Sequence, residues 1–159
     1  MQKMIFILLM LFGANMALAE SGQWTRSTVC DYQKSTINSN NKTIASLVFH
    51  CVSTIIQTDN DLFPLYSNSF DESIASMVKS DAGIELQAYN TATSASNVSD
   101  KVFSELSRKI GDVKKGGEGN STIVGGTGKY QGMTGSCAYT IKYHPKNRTS
   151  MIATCKYNK

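Results

Sequence analysis

Val124-Gly125-Gly126-Thr127-Gly128-Lys129-Tyr130-Gln131-Gly132-Met133-Thr134-Gly135-Ser136-Cys137-Ala138-Tyr139 is the stretch on which the fold turns. Its five glycines are spread between strand-like ends. Glycine reaches positive φ without a Cβ penalty, so such a stretch can turn, bulge or press against another backbone. Thr122, Ile123 and Val124 lead in as a β-branched segment, and Ala138 to Tyr143 lead out as another. The reading is strand, glycine corner, strand, as a sheet needs where it curls to close on itself.

A phosphate loop is the competing reading. Gly126 and Gly128 begin a G-x-G-x-x-G pattern, but Gln131 stands where its last glycine belongs. A Walker A loop needs glycine five residues before Gly128-Lys129, and Ile123 is there. Neither nucleotide motif fits, and no cofactor is expected.

The run Gly125 to Ser136 resembles the signature segment of the allene oxide cyclase-like barrels. That superfamily includes plant allene oxide cyclases, dirigent proteins and small exported bacterial proteins of unassigned role. The match covers about a tenth of the chain. The resemblance implies a mainly-β fold, a single antiparallel barrel of about eight strands. It also implies confinement of a small molecule inside the barrel, and oligomers among the relatives. The functional residues of the plant proteins lie outside the matched run, so none is carried over to this chain.

Met1 to Ala19 reads as a secretory signal peptide. Lys3 supplies the positive start, Met4 to Phe12 the apolar centre and Ala17-Leu18-Ala19 the cleavage site. The expected domain is 20–159, exported to the periplasm or the extracellular space. The apolar run is too short to span a bilayer, and nothing downstream is a candidate span. Formal net charge is +4. The basic residues are dispersed, without the aromatic-interleaved stripe of a nucleic-acid surface.

Four cysteines in an exported chain predict two disulfides, with three possible connectivities. Residues 24–37 and 42–56 read as strands around an Asn40-Asn41 turn. That register sets Cys30 opposite Cys51, Tyr32 opposite Phe49 and Asp31 opposite His50. In the C-terminal hairpin, a loop centred on Lys146 sets Cys137 opposite Cys155, Tyr139 opposite Ala153 and Ile141 opposite Met151. The predicted bridges are therefore Cys30–Cys51 and Cys137–Cys155. Zinc is disfavoured because the cysteines are isolated and His50 and His144 lie far apart in sequence.

In the middle, Thr58 to Asp61 reads as a turn; Leu62 and Phe63 interrupt any calcium-loop pattern. Leu62 to Phe70, with Pro64, reads as an edge strand. Ser73 to Lys79 and Gly83 to Tyr89 read as strands, and Asn90 to Asn97 as a loop. Ser99 fits an N-cap, with Val102, Phe103, Leu106 and Ile110 at helical spacing and Gly111 as terminator. This predicts one short amphipathic helix as an insertion or cover. Lys101, Glu105, Arg108 and Lys109 fall off its apolar stripe and read as solvated. Gly116 to Gly119 reads as a flexible connection. N-x-S/T sequons at Asn41, Asn97, Asn120 and Asn147 all fall in expected turns or loops.

No catalytic constellation is visible: there is no G-x-S-x-G, and neither histidine has a paired nucleophile. Asp31 beside His50 reads as an exposed cross-strand pair. Glu85 and Glu105 are single carboxylates without a partner. Trp24, Tyr32, Phe49, Tyr130 and Tyr139 read as core aromatics that would line an apolar pocket if the barrel is incompletely filled. Three functions stay open: a non-enzymatic binder of a small apolar or aromatic molecule, an isomerase or stereochemical guide, and an interaction protein with a filled barrel.

Overall fold

The computed structural model describes residues 20–39, 42–81, 83–110 and 116–159. The expected signal peptide, the Asn40-Asn41 turn with its sequon and the helix terminator Gly111 lie outside the described residues.

Eight strands close into one antiparallel barrel in sequence order. They are β1 (Ser21–Ser39), β2 (Lys42–Thr58), β3 (Asn68–Ser80), β4 (Gly83–Ser94), β5 (Lys101–Ile110), β6 (Gly117–Thr127), β7 (Thr134–His144) and β8 (Arg148–Asn158). Pairing of β8 with β1, from Ser21↔Asn158 to Asp31↔Arg148, shuts the cylinder and removes the open edges there. Beyond Asp31, β1 pairs only with β2. The ends where β1 leads to β2, β3 to β4, β5 to β6 and β7 to β8 lie together at one end of the barrel, the hairpin end. Glu20, Lys159 and the other three connections lie at the opposite, terminal end.

Both hairpin registers are as the spacing predicts. Cys30 pairs with Cys51, Tyr32 with Phe49 and Asp31 with His50. Cys137 pairs with Cys155, Tyr139 with Ala153 and Ile141 with Met151. Both disulfides are present, with Cα atoms 4.0 Å and 3.9 Å apart.

The glycine run is a corner. The register of β5 against β6 shifts between Phe103 and Ser104, leaving Val124 as the extra residue of a bulge. A bulge bends its strand and raises the local twist, which helps a sheet close. A 3-10 turn, Gly128–Tyr130, follows, with Gly128 at φ +59° and Gly132 at φ +81°. The chain then enters β7.

Four expectations are corrected. The predicted helix after Ser99 is β5, and the only helical turn among the described residues is the 3-10 turn. Val102, Ser104, Leu106 and Arg108 alternate inward there, and pairing with β4 and β6 overrides the helical spacing. Residues 62–67 form a loop, because Tyr66 at φ +63° and Pro64 break extended pairing. The expected loop Asn90 to Asn97 continues β4 to Ser94, with Asn90, Ala92 and Ser94 buried. Gly117 and Gly119 likewise belong to β6, as does Asn120, so that sequon is on an exposed strand position.

Inward residues form two apolar clusters. One, toward the terminal end, holds Trp24, Phe63, Ile123, Tyr130, Met133 and Tyr157. The other, toward the hairpin end, holds Leu47, Phe49, Ala75, Met77 and Ala88. Outward, Val29, Val52 and Phe70 stand in register as an exposed apolar row.

Candidate functional site

Side chains alternate in and out along a strand, so each inward position of a barrel adds to its interior. Between the two apolar clusters this interior is polar. Arg26 on β1 and Asp71 on β3 form an ion pair of 2.7 Å across β2. Ser53, from β2, donates to the same Asp71 oxygen at 2.9 Å, and Ser69 donates to the other at 2.8 Å. Thr28 and Ser53 are joined at 2.7 Å. The carboxylate is thus held by three donors and is only 2 % exposed. A buried charge needs such partners to offset its lost hydration.

This polar layer sits between two cavities. The terminal-side cavity has a volume of about 80 Å³ and is lined by Trp24, Ile55, Phe63, Ile123 and Tyr130, among others. The hairpin-side cavity has a volume of about 60 Å³; Phe49, Leu106, Tyr139 and Met151 line it. Arg26 and Asn90 line both.

The loop after β2 caps the terminal side. The side-chain oxygen of Asn60 accepts from the backbone N–H of Leu62 and of Phe63, at 3.1 and 3.3 Å. Asp59 accepts from the N–H of Gln23 at 2.7 Å, tying the loop to β1. The Asn60 side chain and then the Gln23 N–H hold the Asp59 carboxyl below its usual range. These contacts aim Phe63 inward, where it stacks on Trp24 with ring centroids 3.7 Å apart and on Tyr130 at 5.0 Å.

Four of the five expected pocket aromatics line a cavity: Trp24 and Tyr130 the terminal one, Phe49 and Tyr139 the other. Tyr32 is half-buried at the edge of the hairpin-side cluster, 5.3 Å from Phe49 and 6.1 Å from Tyr143 by ring centroids. Cys30 and Cys51 line the hairpin-side cavity; Cys137 and Cys155 line the other.

The interior phenols stay protonated well into alkali. Burial, and then the Asp100 carboxylate, push Tyr130 up to about 12. Burial raises Tyr139 and Tyr143 too, opposed in each case by the Arg108 guanidinium. Burial also raises Tyr157 to about 12; its hydroxyl donates to Glu20 at the rim, which adds to the shift. At neutral pH these groups are uncharged hydrogen-bonding partners.

Sequence reasoning missed Arg26, Asp71, Asn90 and Arg108. Arg108, expected in solvent, is 4 % exposed and lines the hairpin-side cavity. The signal was alternation: Arg26 is in phase with Trp24 and Cys30, Asp71 with Ala75, and Arg108 with Val102 and Leu106. Glu85 and Glu105 are exposed. Asp31 faces His50 in register and pairs instead with Arg148 at 3.1 Å, both residues being exposed.

Among the described residues, no group of three or more His, Cys, Asp or Glu side chains is placed to hold a metal ion, and no helix is long and apolar enough to cross a membrane. Comparison with known proteins finds no matching family model, no matching curated protein and no matching solved structure.

Proposed function

We propose that this chain is an exported member of the allene oxide cyclase-like barrels that holds a small apolar or aromatic molecule inside the barrel without transforming it. The observation that carries this reading is the incompletely filled interior, two cavities walled largely by aromatic and aliphatic side chains. Export is supported by the leader-like start of the chain and by the two disulfides, which persist in oxidising compartments. The family assignment is supported by the run from Gly125 to Ser136.

A catalytic reading asks for a reactive group facing the cavity. Asp71 is a buried carboxylate there, but both of its oxygens already accept hydrogen bonds. A general base must be free to take a proton from its substrate. Binding therefore stands ahead of isomerisation.

The sole tryptophan, Trp24, lines the terminal-side cavity and reports on it directly. Titration with a small aromatic probe such as toluene should change Trp24 emission saturably, with one-to-one complexes in native mass spectrometry. Absence of saturable binding by both methods would refute the proposal.

A further inference from the structure

Arg108 carries an unmet demand. It is 4 % exposed, and its Nε and Nη2 are shut off from solvent with no hydrogen-bond partner among the described residues. These two nitrogens form one edge of the guanidinium, the edge that offers two parallel N–H donors to a carboxylate. Gly117 leaves room for the guanidinium itself, since a Cβ there would stand 2.5 Å from Nη2. The Tyr143 ring lies 5.9 Å from Cζ, at the outer limit of a cation–π contact, and does not neutralise the charge.

The ion pairs among the described residues are Arg26–Asp71, Arg148–Asp31 and Lys159–Glu20. None includes Arg108. Around the hairpin-side cavity, Arg26 is balanced by Asp71, while Arg108 has no opposite charge among the described residues. Removing a charge from water is costly unless an opposite charge meets it. The remaining wall of that cavity includes Phe49, Leu106, Ile141 and Met151.

We infer that the hairpin-side cavity binds a small monocarboxylate with a short apolar body, its two oxygens meeting the Arg108 guanidinium, which turns its covered Nε and Nη2 edge toward the cavity on binding. The inference rests on the binding reading above and adds a head group to it. A single negative charge balances a single guanidinium, and two coplanar oxygens match one edge of it. The volume of about 60 Å³ holds roughly four to six water-sized atoms, which suits a body of a few carbons.

Butyrate, butanol and butylamine share one chain and differ in head group. Titrated by NMR against the wild-type protein, butyrate should bind about tenfold or more tightly than butanol, and butylamine most weakly. Arg108→Met should abolish the advantage of butyrate and keep the binding of butanol. Arg108→Lys keeps the charge without the two-pronged edge and should recover part of it. Without ligand, Arg108→Met should unfold at or above the wild-type temperature, because an apolar chain replaces an unpaired buried charge. A lower unfolding temperature would show that protein groups already satisfy Arg108, and would overturn the inference. Equal binding of butyrate and butanol, unchanged in Arg108→Met, would overturn the carboxylate head and leave apolar binding standing. No binding of any of the three would remove both.

Discussion

Arg26 Nη1 lies 2.7 Å from Asp71 Oδ2, with Ser53 of the intervening strand bonded to the same oxygen. β1 and β3 are thereby tied across β2 inside the barrel. Backbone pairing cannot make that connection, because β1 and β3 do not touch as neighbours in the sheet.

Breaking this pair from one side leaves a guanidinium stranded. Asp71→Ala should destabilise the protein by about 3–5 kcal/mol. Arg26→Met combined with Asp71→Leu should recover most of that loss, since paired apolar replacements of buried ions are often neutral. Urea unfolding of the single and double variants measures both. A cost well under 1 kcal/mol for Asp71→Ala, about the level of a surface pair, would mean that the ion pair is solvated.

Alkali should loosen the barrel through its phenols. Tyr130 and Tyr157 titrate at about 12 when folded, against an ordinary value of 10.0. The unfolded chain releases those protons first. Their contribution to stability is therefore complete below pH 10.0 and is lost as pH rises toward 12. Phenolate absorbance of native and urea-unfolded protein should show a delayed native component. Superimposable titration curves would contradict the burial of these hydroxyls.

Neighbouring glycines at the corner should respond differently to a methyl group. A Cβ on Gly126 would stand 2.6 Å from the Tyr130 carbonyl oxygen and 2.7 Å from that of Lys101, both backbone. Gly126→Ala should cost about 1–3 kcal/mol, the scale of overpacking. A Cβ on Gly125 meets nothing within 4 Å, and Gly125→Ala should be neutral or stabilising by about 0.4–1 kcal/mol through the unfolded chain. Chemical denaturation of the two variants checks the contrast. Equal effects would mean that the corner is looser than its contacts imply.

The two hairpins are legible in the sequence because two-residue alternation, turn residues and cysteine spacing all select one register. The helix expected after Ser99 fails because the inward row of β5 reads Val102, Ser104, Leu106, Arg108. Two of these four are polar, so the period of two is hidden, while Phe103 and Ile110 complete a helical pattern by coincidence. The same mixing hides most of the candidate site. Arg26, Asp71 and Arg108 carry side chains that normally face water. Only the closing of the cylinder, which brings distant strands together, turns them inward. The aromatic lining was easier to see, since Trp24, Phe49, Tyr130 and Tyr139 are bulky apolar residues on strands or at a turn.

Access to the hollow interior is tested most directly by methyl NMR during titration with toluene. The expected result is saturable shifts at inward methyls such as Ala88, Leu106, Ile123 and Met151, with the outward methyls of Val52, Ile74 and Ile152 unmoved. Inward methyls that stay still throughout, or shifts confined to the outward ones, would contradict a ligand-holding barrel.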